Sequence, residues 1–316
     1  MKLAILDAFT LGNDISFDCF KKFGEVDVFG MTSPEQIEQR IEYCDIVVIN
    51  KIKLNKSNLS HCKNLKLICI AATGYDNIDI EYCKDNGIAV CNVVGYSTHC
   101  VAQVTVSMVL SLINHLPRYD RCVKDLSYTY GGVQNKLTPV YHEIYGKTWG
   151  IVGGGNIGGQ VANIAKALGC NVVVYKRKQT DEYTCVDLSE LMSTSDIITI
   201  HLPLTEQTKN IINSDMINLM KKDAIIVNVA RGAVWDENAV AQAIINKKIA
   251  GMGSDVYSVE PMAKDHPFTN ILDFDNVCLT PHMAWGSFES RVRCMNEIAN
   301  NIKMYLDGKI HNRVDV

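Results

Sequence analysis

What this sequence lacks narrows its function. No run of 18 or more apolar residues occurs. The longest candidate, VAQVTVSMVLSLINHLP, is interrupted by Gln103, Asn114 and His115 and reads as a buried helix, so no membrane partner is expected. The opening stretch, MKLAILDAFTLGND, holds too short an apolar run for a signal peptide, and no cleavage pattern follows, so a cytoplasmic location is expected. The formal net charge is −4, so no broad positive field argues for nucleic acid. The 12 cysteines stand singly, without a Cys-x-x-Cys pair or zinc-like Cys/His spacing. Neither a metal site nor a disulfide framework is expected, and the thiols should be mostly buried and inert. YHEIYG is not the His-Glu-x-x-His of a metalloprotease, because position 146 is glycine. GYSTH lacks the last glycine of a nucleophile elbow, which sets aside a serine hydrolase.

What remains is an ordinary soluble composition, 47% hydrophobic and 21% charged, in 316 residues, enough for about two domains. Two strand–helix alternations follow one another. The first set of β-rich runs is KLAIL, VDVF, CDIVVIN, LKLICI and IAVCNV; the second is TWGIVG, NVVVYK, DIITIHLP, AIIVNVA, AGMGSDVY and NVCLTP. Runs this apolar, separated by helices, predict parallel strands buried on both faces, hence an α/β fold of two doubly wound parallel-sheet domains. Ser33 is placed to cap a helix whose first residue is Pro34. The seam falls near residue 98. An apolar helix is predicted from about Val101 to Leu116, stopped by Pro117, and residues 127–146 lack any period and read as a long surface excursion.

IVGGGNIGG sets Gly153-x-Gly155-x-x-Gly158 directly after a strand and at a helix start. The first glycine permits a tight turn, the second lets backbone approach a pyrophosphate, and the third lets helix and strand pack closely. The helix N-terminus then offers free N–H groups to phosphate. In that context the glycines predict a dinucleotide site. The next strand commonly ends in a carboxylate that takes the ribose hydroxyls of NAD. Here VVVYKRKQT ends instead in Lys176-Arg177-Lys178. Lys176 and Arg177 would attract a 2′-phosphate, which points to NADPH. Use of both NADH and NADPH, or a solvated strand end with no role, remain open.

Three later runs each end in a group of chemical interest. Arg231 follows AIIVNVA, Asp255 ends AGMGS with Glu260 five residues on, and His282 follows NVCLTP. Ligands of open α/β sheets bind at the carboxyl ends of strands, so these groups belong at the nicotinamide end of the crevice. Reduction of a 2-keto acid needs a cation for the carboxylate and keto oxygen, which suits Arg231. It needs a proton donor near neutral pH, which suits His282, and a carboxylate that fixes the imidazole, which suits Glu260. The other histidines carry a structural reading.

ATGYDNID, GYSTHCVAQ, GIVGGGNIG, HLPLTEQTKNIIN, NVARGAVWDE, GSDVYSVEP and LTPHMAW together resemble the D-isomer-specific 2-hydroxyacid dehydrogenases over essentially the whole chain. The resemblance implies Arg231, Glu260 and His282 as the catalytic set, with Asp255 on the nicotinamide carboxamide. It implies further cofactor contacts from Asn156, Ile157, Leu202, Pro203, Thr208, Val229 and Ala230. It implies a substrate carboxylate held by backbone amides near Thr73 and Gly74, with Lys51 nearby. A Rossmann dinucleotide-binding domain, 99–284, would be inserted in a flavodoxin-like substrate domain formed by 1–98 and 285–316, and homodimers would pack through residues near 100–145. Trp285, three residues after His282, is similar to the glycerate dehydrogenase and hydroxypyruvate reductase branch, favouring hydroxypyruvate or glyoxylate over 2-ketogluconate, pyruvate or branched-chain keto acids. The rival is a dinucleotide-sensing, non-catalytic protein of the corepressor kind. A low-complexity tail would favour it, and no such segment occurs within these residues.

Overall fold

The computed structural model describes residues 1–177 and 182–316. By its internal packing the chain forms two compact units, Met1–Ser97 with Trp285–Val316, and Thr98–Ala284.

In the first unit β1 (Lys2–Ile5), β2 (Glu25–Val28), β3 (Ile46–Ile49), β4 (Leu67–Ile70) and β5 (Ala89–Cys91) form a parallel sheet in the order β2-β1-β3-β4-β5. This is the flavodoxin-like order. β3 and β4 are buried at every residue, as their sequences IVVI and LICI require of central strands covered on both faces. One face is covered by Phe20 and by the helix Phe288–Leu306 through Cys294, Met295, Ile298, Ala299 and Ile302. The other is covered by a cluster around Ile37, Ile41, Leu54 and Leu59. Pro34 opens a 3-10 turn, Pro34–Gln36, that runs into the helix Ile37–Ile41; the Ser33 N–H donates to Gln36 Oε1 at 3.1 Å, closing a capping box.

In the second unit β6 (Thr148–Val152), β7 (Asn171–Tyr175), β8 (Thr184–Cys185), β9 (Ile197–Ile200), β10 (Ile225–Asn228), β11 (Gly251–Ser254) and β12 (Val277–Leu279) are parallel in the order β12-β11-β10-β9-β6-β7-β8. The order reverses between β6 and β9, the doubly wound switch point where dinucleotides bind. β8 has no counterpart in the sequence prediction: two residues, paired Val173 with Thr184 and Val174 with Cys185, carry no periodic pattern.

The apolar helix also departs from expectation. It runs Thr98–Asn114, and His115 turns left-handed at φ 51°. Pro117 stops nothing: it sits in the first turn of a second helix, Leu116–Lys124, bent 62° from the first. Proline is tolerated there because the first turn's N–H groups have no helical partner to lose. The stretch read as aperiodic begins with one helical turn, Ser127–Tyr130. Among the described residues no single helix is long and apolar enough to cross a membrane.

Candidate active site

The glycine loop leaves β6 through Gly153, at φ +107°, whose N–H donates to the Tyr175 carbonyl at 2.9 Å. The helix Asn156–Ala167 starts at Gly155, and no side chain caps its first turn. A Cβ on Gly158 would lie 2.0 Å from the Gly153 oxygen, so the helix can rest on the loop only as glycine. A Cβ on Gly155 would meet nothing within 4 Å. Protein packing does not demand a glycine there, and the space over it leaves the backbone open to an outside group. Uncapped N–H groups beside an open glycine fit the pyrophosphate of a dinucleotide. Asn156 is exposed and Ile157 half-buried in the same first turn.

Lys176 and Arg177 follow β7, half-buried and exposed respectively; Lys178 lies outside the described residues. The Lys176 stem runs along the loop, its Cδ 3.2 Å from where a Gly154 Cβ would be. After β9, the backbone of His201 and Leu202 packs on Gly153. Both His201 ring nitrogens are sealed from water without a hydrogen-bond partner among the described residues, and burial pushes the imidazole down to about 3, so it is neutral. The Thr208 hydroxyl donates to the Pro203 carbonyl at 2.6 Å and accepts the Thr205 N–H at 2.8 Å, folding the loop that carries Leu202 and Pro203.

Asn228, the last residue of β10, bridges the next turn: its Oδ1 accepts the Ala230 N–H at 2.9 Å and its Nδ2 donates to the Arg231 carbonyl at 2.9 Å. Val229 is buried, whereas Ala230 and Arg231 are half-buried. Asp255, directly after β11, is only 1% exposed. Its Oδ1 accepts the Thr280 hydroxyl at 2.6 Å and the Met283 N–H at 2.9 Å, and its Oδ2 accepts the Ala284 N–H at 3.0 Å. It therefore grips the chain on both sides of His282, which is left-handed at φ 52°. A non-glycine residue persists in that region only where its surroundings hold it.

His282 Nδ1 lies 2.6 Å from Glu260 Oε2, with the two side chains 20% and 30% exposed. The other Glu260 oxygen accepts the Tyr257 N–H at 3.1 Å, and the Tyr257 hydroxyl donates to the Thr280 carbonyl at 3.0 Å. Burial, helped by neighbouring carboxylates, pushes that phenol to about 12, so it stays a donor. Arg231, Asp255, Glu260 and His282 thus follow the ends of β10, β11 and β12 in the sheet that carries the glycine loop.

Lys51, Thr73, Gly74 and Trp285 belong to the first unit. Lys51 follows β3 and donates its N–H to Asp7 Oδ2 at 2.6 Å; burial raises the Asp7 carboxyl, although backbone N–H groups of Lys51 and Asn50 pull it down. Thr73 and Gly74 follow β4, and the Thr73 hydroxyl is used on the Val93 carbonyl at 2.8 Å. Trp285 packs edge-on against Tyr96, ring centroids 6.3 Å apart, and leans on the first unit's core.

Three residues of this neighbourhood escape sequence reading. Glu237 looks like a helix-opening acid, Ser258 like a loop residue, and His266 like one more structural histidine. The structure buries Glu237 against both of the others.

Comparison with known proteins agrees with this geometry. The family described as D-isomer specific 2-hydroxyacid dehydrogenase, NAD binding domain, matches residues 106–284. A hydroxypyruvate reductase of Blautia hydrogenotrophica is 33% identical over the whole of both chains. A glycerate dehydrogenase of Methylorubrum extorquens is 35% identical over 90% of this chain and 89% of its own. An acyclic imino acid reductase, solved with NADPH and D-Arg, superposes with a TM-score of 0.89 at 30% identity, covering 99% of this chain and all of its own. With its doubly wound folds, its open glycine loop and its Glu260–His282 pair, the chain belongs to the D-isomer-specific 2-hydroxyacid dehydrogenase family.

Proposed function

We propose that this protein reduces a small 2-keto acid, hydroxypyruvate or glyoxylate, to the D-2-hydroxy acid with NAD(P)H. The observation that carries the reading is the 2.6 Å contact of His282 Nδ1 with Glu260 Oε2, at the sheet edge that also presents Arg231. Because Nδ1 is held by the carboxylate, the transferable proton sits on Nε2. His282 Nε2–H donates to the oxygen on C2, and Glu260 stabilises the imidazolium beforehand. The Arg231 guanidinium holds the substrate carboxylate and polarises the keto oxygen. The bound nicotinamide supplies hydride to C2. Gly153, Gly155, Asn156, Ile157 and Gly158 receive the pyrophosphate, Lys176 and Arg177 the adenosine ribose and its 2′-phosphate, and Leu202, Pro203, Thr208, Val229, Ala230 and Asp255 the remainder of the dinucleotide. Lys51, Thr73, Gly74 and Trp285 are the substrate contacts that family resemblance assigns to the first unit. A cytoplasmic homodimer completes the reading, and the names of the two curated relatives support the choice of substrate.

The test is a paired titration of NADH and NADPH, followed by glyoxylate, hydroxypyruvate, pyruvate and phenylpyruvate with the better cofactor. Oxidation with the first two, lost by at least about 100-fold in His282→Ala, is expected for removal of a general acid. Near-normal turnover by His282→Ala on every accepted acid would refute the mechanism. The ligands named for the imino acid reductase make a C=N substrate the second reading; NADPH oxidation that depends on an added amine would favour it.

A further inference from the structure

Glu237 is the first residue of the helix Glu237–Ile245, one step past Asp236, which caps it by accepting the Ala239 N–H at 3.0 Å. A glutamate at such a position ordinarily extends into water and gains a little from the helix dipole. This one is 9% exposed. Burying a carboxylate is unfavourable unless its oxygens are well bonded, and here one residue does most of the bonding. The Ser258 N–H donates to Oε1 at 2.8 Å and the Ser258 hydroxyl to Oε2 at 2.5 Å. His266 Nε2 lies 2.9 Å from Oε2, while its Nδ1 accepts the Phe268 N–H at 3.2 Å, which leaves the ring proton on the nitrogen beside the carboxylate.

What Glu237 grips matters more than the grip itself. Ser258 lies two residues before Glu260, in the turn whose Tyr257 N–H holds Glu260 Oε1. On the other side, Gly232, the residue after Arg231, lies directly on this turn: a Cβ there would be 2.0 Å from the Tyr257 carbonyl carbon and 2.1 Å from the Ser258 nitrogen. The segment from Arg231 to Glu237 therefore touches the segment from Tyr257 to Glu260 at both of its ends. Asp255 grips the backbone beyond Glu260's partner, at Met283 and Ala284. Glu260 accepts the Tyr257 N–H and faces His282.

We infer that Glu237 is a positioning residue for the reaction: by clamping Ser258 at its N–H and hydroxyl it fixes the register between the Arg231 turn and the turn that presents Glu260 to His282. It touches no reacting atom. Its effect passes through Arg231, which governs substrate binding, and through Glu260, whose carboxylate faces His282 Nδ1. This inference rests on the roles proposed above for those two residues.

The experiment uses the full chain, with reduced nicotinamide and the best keto acid. In Glu237→Gln, kcat should fall roughly 10-fold and KM for the keto acid should rise several-fold, with dinucleotide affinity within about two-fold of wild type, since Glu237 bonds to none of the residues assigned to the dinucleotide. The alkaline limb of kcat/KM should move to lower pH. Reduction draws a proton from His282, and a carboxylate set against an imidazole favours its charged form more than a displaced one does. Ser258→Ala removes one bond at an exposed position and should move the limb the same way by a smaller amount; Ser258→Thr, which keeps N–H and hydroxyl, should restore it. Glu260→Gln, run in parallel, must move the limb furthest. If Glu260→Gln moves it but Glu237→Gln and Ser258→Ala keep wild-type kcat, KM and limb, the clamp is merely structural and this inference alone fails. Should Glu237→Gln not fold, a wild-type profile in Ser258→Ala has the same force. If Glu260→Gln leaves the limb in place, the Glu260–His282 reading has failed and the clamp falls with it.

Discussion

Lys176 stands where the second strand of a dinucleotide fold commonly ends in a carboxylate. Its hydrocarbon stem lies against Gly154, which keeps its ammonium at the rim of the glycine loop. Arg177 beside it is exposed. A charge-assisted hydrogen bond to phosphate contributes roughly 1.5–3 kcal/mol. Replacing both cations, Lys176→Asp with Arg177→Ala, should therefore weaken NADPH by roughly 10- to 100-fold for each such bond removed, while NADH holds or gains through the new carboxylate. The readout is the ratio of kcat/KM for the two cofactors. A ratio unchanged by the double substitution would make the run a solvated strand end. The cations were legible in the sequence as a departure from the usual pattern. Their proximity to Gly154 was not, because it depends on where β7 ends relative to β6, a matter of register.

At the scale of elements, the loop between β6 and the helix Asn156–Ala167 carries two glycines whose surroundings differ. Gly158 is glycine for packing, with the Gly153 oxygen 2.0 Å from where a Cβ would sit; Gly155 has nothing within 4 Å. Gly158→Ala should push helix from strand, lower the melting temperature by several degrees and abolish dinucleotide binding with it, since overpacking typically costs about 1–3 kcal/mol. Gly155→Ala should leave melting within a degree or two, because its φ of −85° suits alanine, yet raise the dinucleotide Kd by at least about 10-fold. Equal effects on stability and binding in both variants would show that the loop is not arranged this way. Apolar strands such as β9 and β10 were readable because both faces are buried. The two-residue β8 and the second helix at Leu116–Lys124 were not, because a short edge strand has no period and proline at a helix start looks like proline at a helix end. Glu237 escaped for a related reason: a glutamate in a first turn is expected in water, and only the fold reveals that Ser258 and His266 enclose it.

For the whole molecule, the distribution of apolar surface is uneven. Leu116, Val123, Leu126, Tyr130, Val133, Leu137, Val140, Tyr141 and Tyr145 are all exposed within one stretch of the second unit, with Tyr130 at 81% and Tyr145 at 78%. Single exposed hydrophobics need no explanation, but a dense group on one segment is the pattern of a protein–protein contact surface. Within its own unit Tyr119 packs edge-on against Tyr141 and Tyr145 lies on Gly169, yet the large apolar side chains named above stay exposed. A second copy of the chain meets the requirement, because a two-fold interface pairs one patch with itself. Sedimentation at micromolar concentration should then find a particle of twice the 35.1 kDa chain mass. Tyr130→Glu combined with Leu137→Glu should yield monomers, since an uncompensated carboxylate at the centre of such an interface costs several kcal/mol. Arg231, Glu260, His282 and the glycine loop lie outside this segment, so the variant should keep its dinucleotide affinity even as a monomer. A wild-type monomer at every concentration would remove the dimer, and a double variant that stays dimeric would move the interface to another face.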